Sequence, residues 1–249
     1  MFRGAIIAII VLLSPAMRLP VLAADSYRLL KLDSAFVKWG QPKLGTGATI
    51  SYAIVKGDRW FPDARNCRRL EPLSRHVQTL GITPRRIRAE LKLALRAWER
   101  IANVRFHQAA DSRRADIIIG VQGEPRGRAF ANVWHTEKVS RGSLTDRGIG
   151  GGAGKSRGDV KARNATIRSI KRASICLNPR KPWKIGFSGD LEVYDLRFTF
   201  IHEIGHALGI DHPERRDQLM HYRYDESHEG LQAGDIAGAV KLYGPPAAH

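Results

Sequence analysis

"HEIGHALGIDH", residues 202–212, places three histidines and a glutamate at fixed offsets in a chain of 249 residues. On an α-helix, side chains four apart share a face, with Cβ atoms about 5–6 Å apart. His202 and His206 therefore point the same way and can chelate one divalent ion. Zinc is the favoured reading, because it takes imidazole nitrogen at about 2.0–2.1 Å in a tetrahedral site. Glu203 follows the first histidine directly. It falls beside the ion rather than on it, which suits a general base acting on an attacking water. Gly209 can adopt the left-handed conformation that ends a helix and turns the chain. The turn brings His212 back as a third neutral ligand and leaves a fourth position open. A bare H-E-x-x-H occurs by chance in ordinary helices. The added glycine and third histidine make the pattern specific.

The helix bearing this motif is predicted from about Asp190 to Leu208. A second long helix is predicted in "TPRRIRAELKLALRAWERIAN", residues 83–103. Thr83 can cap it, and Pro84 suits the first helical position. Ile87, Leu91, Ala94, Leu95, Trp98, Ile101 and Ala102 fall on one face at helical spacing, a core-facing stripe. "ATISYAIV" (48–55), "VRFHQA" (104–109), "ADIIIGV" (115–121), "RAFANVW" (128–134) and "ASICLNP" (173–179) read as strands. "GDIAGAVKLYG" (234–244) reads as a short closing helix. Residues 24–46 read as a loose lead-in, 56–81 as a long charged connection, and 140–172 as a Gly-rich basic surface loop.

This order predicts one α/β (α+β) domain over residues 24–249, with a mixed twisted sheet and two long helices. Residues 140–172 could instead link two domains, but neither flank makes a convincing core alone.

Residues 1–23 read as a secretory signal peptide. Arg3 opens the segment, Ala5 to Leu13 is apolar, and Val21-Leu22-Ala23 is a small-residue cleavage site. The apolar run is too short for the roughly 30 Å of a bilayer core. The chain is therefore expected in a periplasm or outside the cell. Two cysteines, Cys67 and Cys176, fit that setting. In an oxidising compartment a pair is more often bridged than free. The rival reading makes Cys67 a latency ligand to the metal.

Apolar residues make up 43% of the chain and charged residues 26%, which supports a real core. The net charge is +17. Without Arg3 and Arg18, the remaining 39 basic residues set against 24 acidic give +15. Residues 151–185 hold ten Lys or Arg and one acid, Asp159. Such a surface attracts anionic polymers or surfaces, or it is simply a solvated face. No aromatic-interleaved basic motif of a nucleic-acid module is present.

His202-Glu203-x-x-His206-x-x-Gly209-x-x-His212, followed by Met220 eight residues later, resembles the metzincin zinc endopeptidases, and within them the matrixins. The resemblance covers about residues 36–244. It extends to "KWG" (38–40) with the strand after it, "ALRAWERIANVRFHQ", "ADIIIG", and "LQAGDIAGAVKLYG" with its final Leu242-Tyr243-Gly244. Residues 56–80 and 122–172 match poorly. The resemblance implies one catalytic zinc on His202, His206 and His212, with Glu203 as general base. It implies that Met220 forms an apolar Met-turn beneath the ion, that Tyr224 walls the pocket after the scissile bond, and that protein or peptide is the substrate of a monomeric enzyme.

Departures carry expectations too. Between His107 and His202 only His135 occurs, so the family's second, structural zinc is expected to be missing. Acids are sparse in the same region, which argues against the family's calcium sites. No room for a full latency propeptide is read before Lys38. Where the family has Tyr-Pro-x-Tyr after the methionine, this chain has His221-Tyr222-Arg223-Tyr224. Tyr222 is an outside candidate for a fifth ligand or oxyanion donor. The expected function is a secreted zinc endopeptidase. The alternative is a binding protein on the same frame, gripping anionic cell-surface polymer through residues 151–185.

Overall fold

A computed structural model describes residues 27–137 and 166–247. Its main sheet is built from β1 (Ala35–Lys38), β2 (Ala48–Ile54), β3 (Val104–Gln108), β4 (Ile117–Gln122), β5 (Ala129–His135) and β6 (Ile167–Leu177). β3, β2, β4 and β6 lie side by side and parallel. β5 runs antiparallel on β6, and among the described residues its other edge pairs with no strand. β1 pairs in parallel with the first residues of β6.

Three longer helices complete the frame: α1 (Pro84–Glu99), α2 (Leu196–Leu208) and α3 (Ala233–Tyr243). α1 carries the chain from β2 to β3, since parallel neighbours need a crossover. Its first turn is capped by the Thr83 hydroxyl, which accepts from the Arg86 amide. Its apolar stripe is buried against α2, where Trp98 is fully enclosed and donates from Nε1 to the Ile201 carbonyl at 3.0 Å. Glu90, also enclosed, pairs with Arg197 of α2 at 2.7 Å and Arg86 at 3.0 Å. A buried carboxylate needs partners of this kind. α2, which carries the three-histidine motif's first two members, is therefore held on its back face by a neighbouring helix.

The opposite face of the sheet is covered by residues 61–70. Phe61, Ala64, Cys67 and Leu70 pack on Ala53, Val55, Ile118 and Cys176. Cys67 and Cys176 form a disulfide, with Cα atoms 6.5 Å apart across 109 residues. Among the described residues no cysteine is free, so the reading of Cys67 as a metal-directed thiol is overturned.

Several boundaries differ from the sequence reading. β6 begins at Ile167, six residues before the predicted strand and inside the predicted loop. Residues 138–165, the rest of that loop, and the predicted signal segment 1–23 lie outside the described residues. α2 begins at Leu196 rather than near Asp190. The lead-in is not loose: β1 lies in the sheet, Val37 is buried, and Arg28–Leu29 pairs with Ile210–Asp211. The charged connection contains a small hairpin, Arg59–Trp60 with Arg69–Glu71, and two short helical turns.

Candidate metal centre

α2 is positioned at both ends by its own sequence. Asp195 caps it, accepting from the Phe198 amide at 2.7 Å. Gly209 ends it at φ +98°, a left-handed value that favours glycine. A Cβ at Gly209 would also run into the Val37 carbonyl. The turn that follows places Ile210-Asp211 against Arg28-Leu29 and delivers His212 to the helix.

The Nε2 atoms of His202, His206 and His212 converge, with pairwise separations of 3.0–3.2 Å. His202 Nδ1 faces the Leu219 carbonyl at 3.0 Å, and His206 Nδ1 faces the Ile210 carbonyl at 2.8 Å. A carbonyl only accepts, so in both rings Nδ1 carries the hydrogen and Nε2 is a bare lone pair. Bare lone pairs aimed at one another repel unless a cation lies among them. Nitrogens about 2.0–2.1 Å from one tetrahedral ion stand about 3.3–3.4 Å apart, close to the spacing found here. Burial and the neighbouring imidazoles hold His202 well below its ordinary range. Burial and His212 bring His206 down to about 4, and burial lowers His212 as well. All three rings are thus neutral near pH 7, as metal ligands must be. The donor set fits zinc.

Glu203 is buried between this cluster and the edge of β5. Burial pushes its carboxyl up to about 8, and a hydrogen bond from the Ala131 backbone opposes that rise. Along β5 the even residues face β6: Arg128 accepts from the Asn178 amide, and the Thr136 amide donates to Ser169. Alternation then turns the backbone groups of Ala129, Ala131, Val133 and His135 away from β6, where the Ala131 amide meets Glu203. These groups, the histidines and Glu203 line one cavity of about 920 Å³.

Met220 is fully buried under α2, with its sulfur packed where Gly205 has no side chain. Its turn is held by Asp235, which accepts from the amides of Leu219 (2.9 Å), Met220 (3.1 Å) and Gln232 (2.8 Å). Tyr224 stands in the cavity wall. Tyr194 stacks on it at 4.3 Å, and Phe198 meets it edge-on at 4.9 Å. Tyr222 is 60% exposed, and its hydroxyl accepts from Arg223 Nε at 3.0 Å. Its ring centre is 6.4 Å from that of His212, in the lining of the same cavity. Asp235, Ala131, Phe198 and Tyr194 were not singled out in the sequence. Only Phe198 carried a signal, as an apolar residue one helical turn before His202.

The sequence profile of one family, described as Matrixin, matches residues 74–244. The chain is a matrixin. The matched region runs from before α1 to the end of α3 and so contains the histidine cluster, Glu203 and the Met220 turn. This matrixin is 22% identical over 209 residues to matrix metalloproteinase-20 of Homo sapiens, a span of 82% of this chain and 36% of that protein. It is 36% identical over 69 residues to matrix metalloproteinase-16 of Rattus norvegicus, covering 26% of this chain and 11% of the relative. It is 26% identical over 140 residues to serralysin of Photorhabdus luminescens, covering 55% and 22% respectively. The matrixin thus spans about a third or less of the length of these curated relatives. Zinc, which the family implies, is compatible with the cluster of His202, His206 and His212. Among the described residues no helix is long and apolar enough to cross a membrane.

Proposed function

We propose that the chain is a secreted zinc endopeptidase whose single catalytic domain is residues 24–249, following a signal peptide at 1–23. The observation that carries this reading is the convergence of three Nε2 atoms beside a buried glutamate, under a free sheet edge. His202, His206 and His212 would hold the ion. A zinc ion there supplies Lewis acidity toward a carbonyl oxygen and toward water. A peptide lies extended along β5, hydrogen-bonding to the outward groups of Ala129 and Val133 and to the Ala131 carbonyl, as strand addition allows. Glu203 takes the proton of the attacking water and returns it to the leaving amine nitrogen. The aromatic wall of Tyr194, Phe198 and Tyr224 receives the side chain after the cut bond. The Met220 turn supports His202 from below through Leu219.

The test is metal-dependent proteolysis of an unfolded protein. Chelation should abolish cleavage, and one equivalent of zinc should restore it. Cleavage that persists after zinc has been stripped would overturn the proposal.

A second reading, a binding protein for anionic cell-surface polymer on the same frame, draws support from the net charge of +17 and the exposure of Lys171, Arg172, Arg180 and Lys181. Not all of residues 151–185 is free for this role, since Lys184 pairs with Glu226 and Arg168 lies near Asp33. Salt-sensitive retention on an anionic matrix that survives Glu203→Ala, without proteolysis by the parent protein, would favour this second reading.

A further inference from the structure

The segment that carries Cys67 also reaches the cleft. Asp63, Ala64, Arg65 and Asn66 line the same cavity as the three histidines and Glu203. They are held there by three independent ties. Asn66 and Asn132 bond reciprocally: the Asn66 amide donates to Asn132 Oδ1 at 3.1 Å, and Asn132 Nδ2 donates to the Asn66 carbonyl at 2.7 Å. Trp134 Nε1 donates to the Asp63 carboxylate at 2.8 Å. The next residue, Cys67, is bridged to Cys176 of β6. The segment is therefore a built wall over β5 rather than a surface loop that happens to pass.

Strand alternation says which substrate side chains meet that wall. Phe130 and Trp134 pack with the cluster on the disulfide face of the sheet, while Ala129, Ala131 and Val133 pack toward the helices. A peptide added along β5 alternates in the same way. Side chains pointing with Ala131 meet the helix face of the cleft, where Phe198 and Tyr224 stand. Those pointing with Asn132 meet Asp63–Asn66.

The charges on the cleft lining are unequally used. Arg128 is occupied, stacked over Tyr194 at 3.6 Å and close to the Glu192 carboxylate. Asp63 is taken by Trp134, Asp211 by Arg28, and Asp33 by His135, while Glu137, just past the end of β5, lies exposed on the lining. Arg65 is exposed and makes no ion pair among the described residues. An arginine fork with no internal partner, on a rigid wall facing every second side chain of an extended ligand, is suited to a carboxylate.

We propose that Arg65 is a specificity-determining residue that selects an acidic side chain in the substrate peptide, held at its station by the Cys67–Cys176 disulfide and the Asn66–Asn132 pair. The proposal rests on the peptidase reading above and names its substrate class: acidic segments of extended polypeptide. A charge-assisted contact of this kind corresponds to about a tenfold preference in kcat/KM.

The experiment is cleavage of a peptide library by the zinc-loaded full chain, followed by kcat/KM for one matched pair of peptides with Glu or Gln at the selected position. The parent should enrich Glu or Asp at one fixed position relative to the cut. Arg65→Ala should bring the Glu/Gln ratio to about one, Arg65→Glu should reverse it in favour of Lys, and Arg65→Lys should keep part of it. Cys67→Ser with Cys176→Ser should also flatten the ratio, with the fold checked by circular dichroism and zinc content. An acidic preference that is absent from the parent, or that survives Arg65→Ala, overturns the role of Arg65. A library left uncut by the zinc-loaded parent overturns the peptidase reading itself.

Discussion

His202 and Asp235 are joined through one peptide unit. His202 Nδ1 donates to the Leu219 carbonyl at 3.0 Å, and the Met220 amide, the other half of that same peptide, donates to the Asp235 carboxylate at 3.1 Å. The carboxylate thus polarises the peptide that orients the first histidine of the cluster, as outer-shell partners of metal ligands do. Asp235→Ala strands three buried amides and removes that orientation. Zinc affinity should fall about 10–100-fold, and unfolding stability should drop by about 2–4 kcal/mol. Competition with a coloured chelator and denaturant unfolding measure the two separately. Unchanged zinc affinity in a folded variant would detach Asp235 from the site.

Gly209 sits where the chain must turn left-handed and pass against the Val37 carbonyl. Gly209→Ala meets both obstacles at once and should cost more than about 1 kcal/mol. Because the same turn delivers His212, the variant should also lose zinc more readily on dialysis. A variant that melts like the parent and keeps its zinc would show that the turn tolerates a side chain.

The disulfide closes a long loop between the outer layer and β6. Replacing both cysteines with serine should lower stability by about 2–5 kcal/mol in the chain-entropy account. Thermal unfolding of the paired variant, and of the parent with and without reductant, measures this loss. Identical melting under all conditions would mean that the hydrogen bonds of Asn66 and Asn132 suffice alone.

Two loops beside the aromatic wall are clasped by Glu226. Burial alone would raise its carboxyl. The Lys184 ammonium, the Tyr224 hydroxyl and the amides of Gly189 and Ser188 instead hold it down to about 2. A carboxylate whose folded pKa lies below its ordinary 4.5 adds stability above that value and loses it as pH falls from about 4.5 to about 2. In chelator-treated protein the stability difference between parent and Glu226→Gln should be present at pH 6 and should shrink across that window. A constant difference from pH 6 to pH 2.5 would contradict the clasp.

The histidine cluster was legible because its information is local. His202, His206, Gly209 and His212 lie within one helix and its turn, so spacing alone brings them together. The start of α2 was not. Asp190 and Asp195 both make the short side-chain-to-amide bonds that mark a helix start, the first to the Glu192 amide and the second to that of Phe198. The choice falls on Asp195 because Tyr194–Asp195 pairs with Trp183–Lys184, a contact between segments. Residues 167–172 hid their strand for a similar reason. Lys171 and Arg172 face water while β1 and β5 supply the pairing partners from elsewhere. Asp235 and Ala131 reach the site through hydrogen bonds to residues distant in sequence, Asp235 to the Leu219 and Met220 amides and the Ala131 backbone to Glu203.

The central claim is that Glu203 moves the proton at a three-histidine zinc site. The most direct measurement compares cleavage of an unfolded protein by the parent and by Glu203→Ala, with zinc content determined on both. The expected result is one zinc per chain in each, the same fold, and a loss of at least about 10²–10⁴-fold in cleavage rate for the variant. Cleavage by zinc-loaded Glu203→Ala at the parent's rate would contradict it.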